Sequence, residues 1–134
     1  SNMNLASGVA PIKKMMKENV RIGIGTDIAA GSKLSMFAAM ADAIKASKLR
    51  WVYVDKEESP LTVSEVFYLA TVGGGSFFGK AGSFEKGYEF DAVVIDDSNL
   101  SDTEMSLYER LERLIYMAEE SRIIRKYVRG QQVI

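Results

Sequence analysis

Val20-Arg21-Ile22-Gly23-Ile24-Gly25-Thr26-Asp27 is the stretch on which the fold of this chain turns. Its first six residues form a short, β-branched, glycine-punctuated run, which predicts a buried strand whose backbone is closely approached by another element. Thr26 and Asp27 then fall at the strand's C-terminal end, and Ala29-Ala30-Gly31 beyond them reads as a small, flexible loop.

Helical patterns lie on both sides of that strand. Upstream, residues 1–8 read as a polar loop, and Ile12, Met15 and Met16 follow Pro11 at helical spacing with Lys13, Lys14 and Lys17 opposite. This predicts a helix to about Glu18. Downstream, Phe37, Met40, Ala41 and Ile44 fall at i, i+3, i+4 and i+7, the stripe of an amphipathic helix over residues 34–47. The order is helix, strand, helix.

The same reading extends to the C-terminus. After a mobile stretch at residues 55–59, Thr62 and Glu65 have capping-box spacing ahead of Val66, Phe67 and Ala70, predicting a helix to about Thr71 that Gly73-Gly74-Gly75 stops. Gly79, Gly82 and Gly87 keep the next segment irregular until a continuous apolar strand at residues 90–95. Ser101 and Glu104 repeat the capping-box spacing before a stripe of Leu107, Leu111, Leu114, Ile115 and Ala118. Residues 123–128 and 132–134 flank Arg129-Gly130-Gln131, a hairpin turn by size and glycine content. There is no internal repeat and no low-complexity segment.

Composition narrows the function. The 134 residues suit one ordinary domain, and 47% hydrophobic content suits a folded core. With 17 basic and 18 acidic residues the formal charge is −1, so no basic field attracts nucleic acid or an anionic membrane, and neither is an expected partner. No apolar run approaches the roughly 20 residues that span a bilayer, and a cytoplasmic location is expected. There is no cysteine, hence no disulfide or thiolate metal site, and no histidine, which removes the commonest general base and metal ligand together.

Several motifs reduce to structure. Gly74, Gly79 and Lys80 fit a phosphate-binding loop, but Ala81 replaces the required Ser or Thr and the segment follows a helix, so it reads as a glycine-rich connection. Gly23-Ile24-Gly25 lacks the third glycine of a dinucleotide fingerprint, Ile28 standing in its place. Asp96, Asp97 and Asp102 lack the glycine and closing Glu of a calcium loop and read as a solvated turn. Deaminases with a cysteine-bearing zinc cage are excluded outright. Asp27 keeps two readings. At the end of a (β/α)8 barrel strand it stands where catalytic residues project, and before a helix it acts as an N-cap.

Taken in order, residues 1–8 with Pro11, VRIGIGTD at 20–27, Ala30-Gly31-Ser32-Lys33-Leu34-Ser35-Met36, and ATVGGGSFFGKAGSFEKGYEFDAVVID at 70–96 resemble the amidohydrolase superfamily. YERLERLIYMAEESRIIRKYV at 108–128 resembles the closing helix and strand of its guanine deaminase-like branch. The resemblance implies an α/β fold: residues 1–87 as the last βα units of a metal-dependent (β/α)8 barrel, and residues 88–134 as C-terminal strands of a small β-sandwich domain with an inserted helix. It also implies a zinc ion in the complete enzyme, with Asp27 as its ligand and as the catalytic proton shuttle.

The family's histidines and purine contacts would lie upstream of residue 1. A complete barrel takes about 250 residues, so this chain is expected to be a C-terminal portion, inactive alone and not expected to bind zinc by itself. The implied parent reaction converts guanine and water to xanthine and ammonia. A different amino-heterocycle as substrate, or a truncated interaction protein without catalysis, stand as alternatives. A strand without neighbours and uncovered apolar stripes further predict self-association or pairing with a complementing chain.

Overall fold

The computed structural model describes residues 2–98, 100, 103–117 and 122–134. In chain order these form α1 (Ile12–Lys17), α2 (Met36–Tyr53), α3 (Val63–Tyr68), a π turn (Leu69–Gly73), β1 (Ala92–Ile95), α4 (Leu107–Met117), β2 (Ile123–Val128) and β3 (Gln131–Gln132).

The apolar stripe of α2 builds the core as its spacing predicts. Met40, Ala41 and Ile44 are buried with Leu61, Val63, Val66 and Ile115, and Ile12, Met16, Ile24, Phe37 and Leu111 pack against this cluster. Four helices therefore share one apolar interior. Ser35 caps α2, its hydroxyl accepting from the Ala38 N–H at 3.4 Å. The helix runs on to Tyr53, past the predicted end near Ser47. Ser47 does not interrupt it because its hydroxyl bonds back to the Ile44 carbonyl at 2.7 Å and also accepts the Leu61 N–H at 2.9 Å. Ser47 is thus a tie to the next loop.

The capping box on α3 forms as read, Thr62 accepting from the Glu65 N–H and Glu65 reaching back to the Thr62 N–H. The three glycines do not stop this helix. It widens into the π turn and continues, with Ser76 N–H still reaching the Val72 carbonyl at 2.8 Å. At α4 the predicted box moves. Ser101 lies outside the described residues, and helix begins at Leu107, where Ser106 and Glu109 bond each other's backbone N–H groups at 2.8 and 3.3 Å. Both pairs have the i, i+3 spacing; the one adjoining the apolar stripe forms the cap. Of that stripe, Ile115 is buried and Leu111 and Leu114 are half-buried, Leu107 is exposed, and Ala118 lies outside the described residues.

The C-terminal hairpin matches its turn signal. β2 pairs with β3 across Arg129 and Gly130, both at positive φ (49° and 79°), as a two-residue type I′ turn requires. β1 pairs antiparallel with β2, giving the order β1-β2-β3. β1 is shorter than predicted and is not buried, with Val93 52% exposed, because no described element covers that part of the sheet.

The decisive correction concerns residues 20–25, which form no strand. Their exposure does alternate: Ile22, Ile24 and Thr26 are half-buried while Arg21, Gly23, Gly25 and Asp27 are exposed. The side-chain pattern of a strand is present and the hydrogen-bonded neighbours that would make it one are missing among the described residues. No helix of the described residues is long and apolar enough to cross a membrane.

Two ion pairs join the helices, Lys13 with Glu65 and Arg50 with Glu58. Glu58, only 9% exposed, accepts from Arg50 Nε at 2.7 Å and from the Lys14 N–H at 3.1 Å, tying α1 to the end of α2. Burial raises its pKa, but the hydrogen bonds from Arg50 and the α1 backbone, with the Arg50 charge, outweigh that and hold it below the usual carboxylate value. Glu65 is lowered likewise, its burial outweighed by Lys13 and Thr62. A depressed folded-state pKa contributes stability that is complete above the unfolded value of about 4.3 and is lost as pH falls through the folded value. The melting temperature should therefore decline on acidification below about pH 5, with Glu58→Gln lower in midpoint and flatter in slope. An unchanged acid slope in that variant, by circular dichroism melts, would remove Glu58 from this role.

Candidate functional site

Asp27 ends the extended segment and enters the αL region at φ 48°, a conformation that Asp tolerates better than most residues. Ser35 caps α2, so Asp27 is not the N-cap of that helix. Among the described residues its carboxylate has neither a hydrogen-bond donor nor an ion-pair partner. An exposed acid left without a structural task is a candidate for a functional one.

The loop after it is closed. Gly31 N–H bonds to the Asp27 carbonyl, Ile28 and Gly31 form a bridge, and Ala29 sits at φ 129°, a sparsely populated conformation for a residue with a Cβ. A Cβ on Gly31 would run into the Thr26 carbonyl oxygen, so only glycine closes this turn. Asn4 pins it from the N-terminal loop, donating through Nδ2 to the Ala30 carbonyl at 2.9 Å. Nothing in the polar stretch of residues 1–8 marked Asn4 in advance, because its partner is a backbone carbonyl 26 residues away.

Beside the loop lies a cavity of about 280 Å³ between the N-terminal loop, the extended segment and the small-residue face of α2. Thr26 and Gly31, on either side of Asp27, line it with Lys33 and Asp42, while Asp27 itself stands outside the lining. The remaining sequence candidates are not brought to this place. Asp97 pairs with Arg110 at 2.6 Å and Asp96 accepts from the Ser98 N–H at 3.0 Å, so these acids serve the turn before α4; Asp102 lies outside the described residues. In the glycine-rich connection Lys80 accepts the Glu89 N–H through its carbonyl at 2.7 Å, and a Cβ at Gly75 or Gly82 would strike the Ala81 or Thr71 backbone. Those glycines serve packing.

The donors present do not fit a metal. Among the described residues no three of His, Cys, Asp and Glu come together, and the sequence contains no histidine or cysteine. A zinc site takes at least three protein ligands, and no such set forms around Asp27 among the described residues.

These features define an α/β chain in which an extended segment ends in one acid and a glycine-closed turn follows it, ahead of a helix. The model of the amidohydrolase family matches residues 1–133, and the chain belongs to that family. It is 35% identical to guanine deaminase of Homo sapiens over 147 residues, which take in 100% of this chain and 32% of the relative. Among solved structures, guanine deaminase from C. acetobutylicum with bound guanine in the active site superposes with a TM-score of 0.93 at 47% identity, over 99% of this chain and 32% of that one. An adenosine deaminase from Xanthomonas campestris with bound zinc superposes with a TM-score of 0.76 at 28% identity, over 98% and 29%. The chain thus spans about a third of the length of the relatives it matches.

Gly31→Ala must displace the Thr26 backbone, and we expect it to destabilise the fold by about 1–3 kcal/mol. Urea unfolding with a parent-like midpoint would show that the turn has room to relax.

Proposed function

We propose that this chain supplies one part of a hydrolytic deaminase that converts guanine and water to xanthine and ammonia. The observation carrying this reading is the likeness, over nearly the whole chain, to a solved guanine deaminase at 47% identity. Residues 1–87 contribute the closing βα units of the barrel and residues 88–134 belong to the adjoining β domain. Asp27 is the contribution to the reaction centre, a ligand of the zinc ion held by the complete enzyme. Its position after the extended segment, its exposure and its unengaged carboxylate support that role, and the other donors come from outside this chain.

The isolated chain is accordingly inactive. A second substrate class, another amino-heterocycle such as an adenine nucleoside, is favoured by the superposition on an adenosine deaminase. The discriminating material is a chimaera in which this chain replaces the matching third of the C. acetobutylicum enzyme. It should form xanthine from guanine faster than it releases ammonia from adenosine, and Asp27→Asn should lower the rate by roughly 10²- to 10⁴-fold. Faster turnover of adenosine would select the second reading, and a fully active Asp27→Asn chimaera would remove Asp27 from the centre.

Uncovered surface supports a partner chain. The extended segment has no ladder partner among the described residues, and beside it Phe77 and Phe78 are 86% and 84% exposed. Open strand backbone and apolar patches promote association. The purified chain is expected to sediment as an assembly, or to form a heterodimer with the remainder of the C. acetobutylicum enzyme. A monomer that binds no hydrophobic dye and ignores the remainder would contradict this.

A further inference from the structure

Between Arg21 and Thr26 the extended segment makes one backbone hydrogen bond among the described residues, from the Ile24 N–H to the Leu69 carbonyl at 3.1 Å. Leu69 opens the π turn. In an α-helix its carbonyl would take the N–H four residues on; here it takes that of Gly74, five residues on, as π geometry dictates. One carbonyl oxygen thus uses both lone pairs, one within the helix and one on the segment that leads to Asp27.

Sterics close the same seam. A Cβ at Gly23 would lie 2.8 Å from Gly74 Cα and 3.2 Å from its nitrogen, and a Cβ at Gly73 would lie 2.6 Å from the Ile22 carbonyl oxygen. Backbone rests on backbone over residues 22–24, with no space for a methyl group at either position. Asp27 follows Ile24 by three residues, about 10 Å of extended chain, and Gly31 closes the turn beyond it.

We infer that the π turn and its glycine seam are a positioning device for Asp27, with Gly23 and Gly73 as positioning residues for the reaction centre. The inference rests on the role proposed above for Asp27. A segment without ladder neighbours has no other backbone hydrogen bond between residues 21 and 26 among those described, and the Ile24 side chain packs on the core beneath it, so a displacement forced at Gly23 is passed along the chain to the acid. Misplacement by about 1 Å costs on the order of 10²-fold in rate.

Within the chimaera, Gly23→Ala should lower kcat by about 10²-fold with KM within about 3-fold of the parent. Gly74→Ala is the matched control, because its Cβ would meet only the Leu69 oxygen at an ordinary 3.5 Å; kcat and KM should stay within about 2-fold. Equal losses in the two variants, or a parent-like kcat in Gly23→Ala, would overturn the inference. An active Asp27→Asn chimaera defeats the functional reading itself, whereas an inactive Asp27→Asn with an active Gly23→Ala defeats only the positioning role. Should Gly23→Ala fail to fold, or the parent chimaera lack activity, amide exchange in the unmodified chain decides. The Ile24 amide should exchange more slowly than those of Ile22 and Thr26, and equal rates would refute the seam.

Discussion

A segment with strand character and no strand neighbours stays in place only through what lies beneath it, and in this chain that support is the Leu69 carbonyl with the glycines around it. The Ile24 bond and the contacts of Gly23 and Gly73 join the extended segment to the helix formed by α3 and the π turn. Ile24 in turn packs on the cluster made by Met40, Ile44 and Val66. Helical core, seam and Asp27 loop are thus connected in series. A side chain at Gly23 would be felt in both directions, toward the helices and toward the acid.

Much of this was legible because its causes are local. The stripe of α2, the capping box of Thr62 and Glu65, and the turn at Arg129 and Gly130 each follow from interactions between residues a few positions apart. Errors arose where the deciding partner is distant or where two local signals compete. Ser47 fails to end α2 because its hydroxyl is engaged at Ile44 and Leu61. Ser106 and Glu109 form the box that Ser101 and Glu104 resembled. The close backbone approach expected from Gly23 and Gly25 occurs at Gly23 alone, since a Cβ at Gly25 would meet nothing within 4 Å.

The site was legible to the extent that it is a matter of chain geometry. An acid at the end of a strand-like run, ahead of a glycine, is visible in sequence, and the structure frees it from the capping alternative by giving that task to Ser35. What lies about the acid was not legible. Asn4 reaches the loop from 26 residues away, and the π turn arises within a run, Leu69-Ala70-Thr71-Val72-Gly73, whose composition differs little from an ordinary helix end.

Core and Asp27 draw on different faces of the same segment, so the side chains that hold it to the helices are not those it turns outward. Ile22, Ile24 and Thr26 are half-buried, and what they rest on lies within the 134 residues. Arg21, Gly23, Gly25 and Asp27 alternate with them on the exposed side. A period of two separates the residues that rest on this chain's helices from those that face outward. Burial of the first set orients the second, so the acid is presented outward. Its carboxylate, without a partner among the described residues, is then a consequence of the fold beneath it.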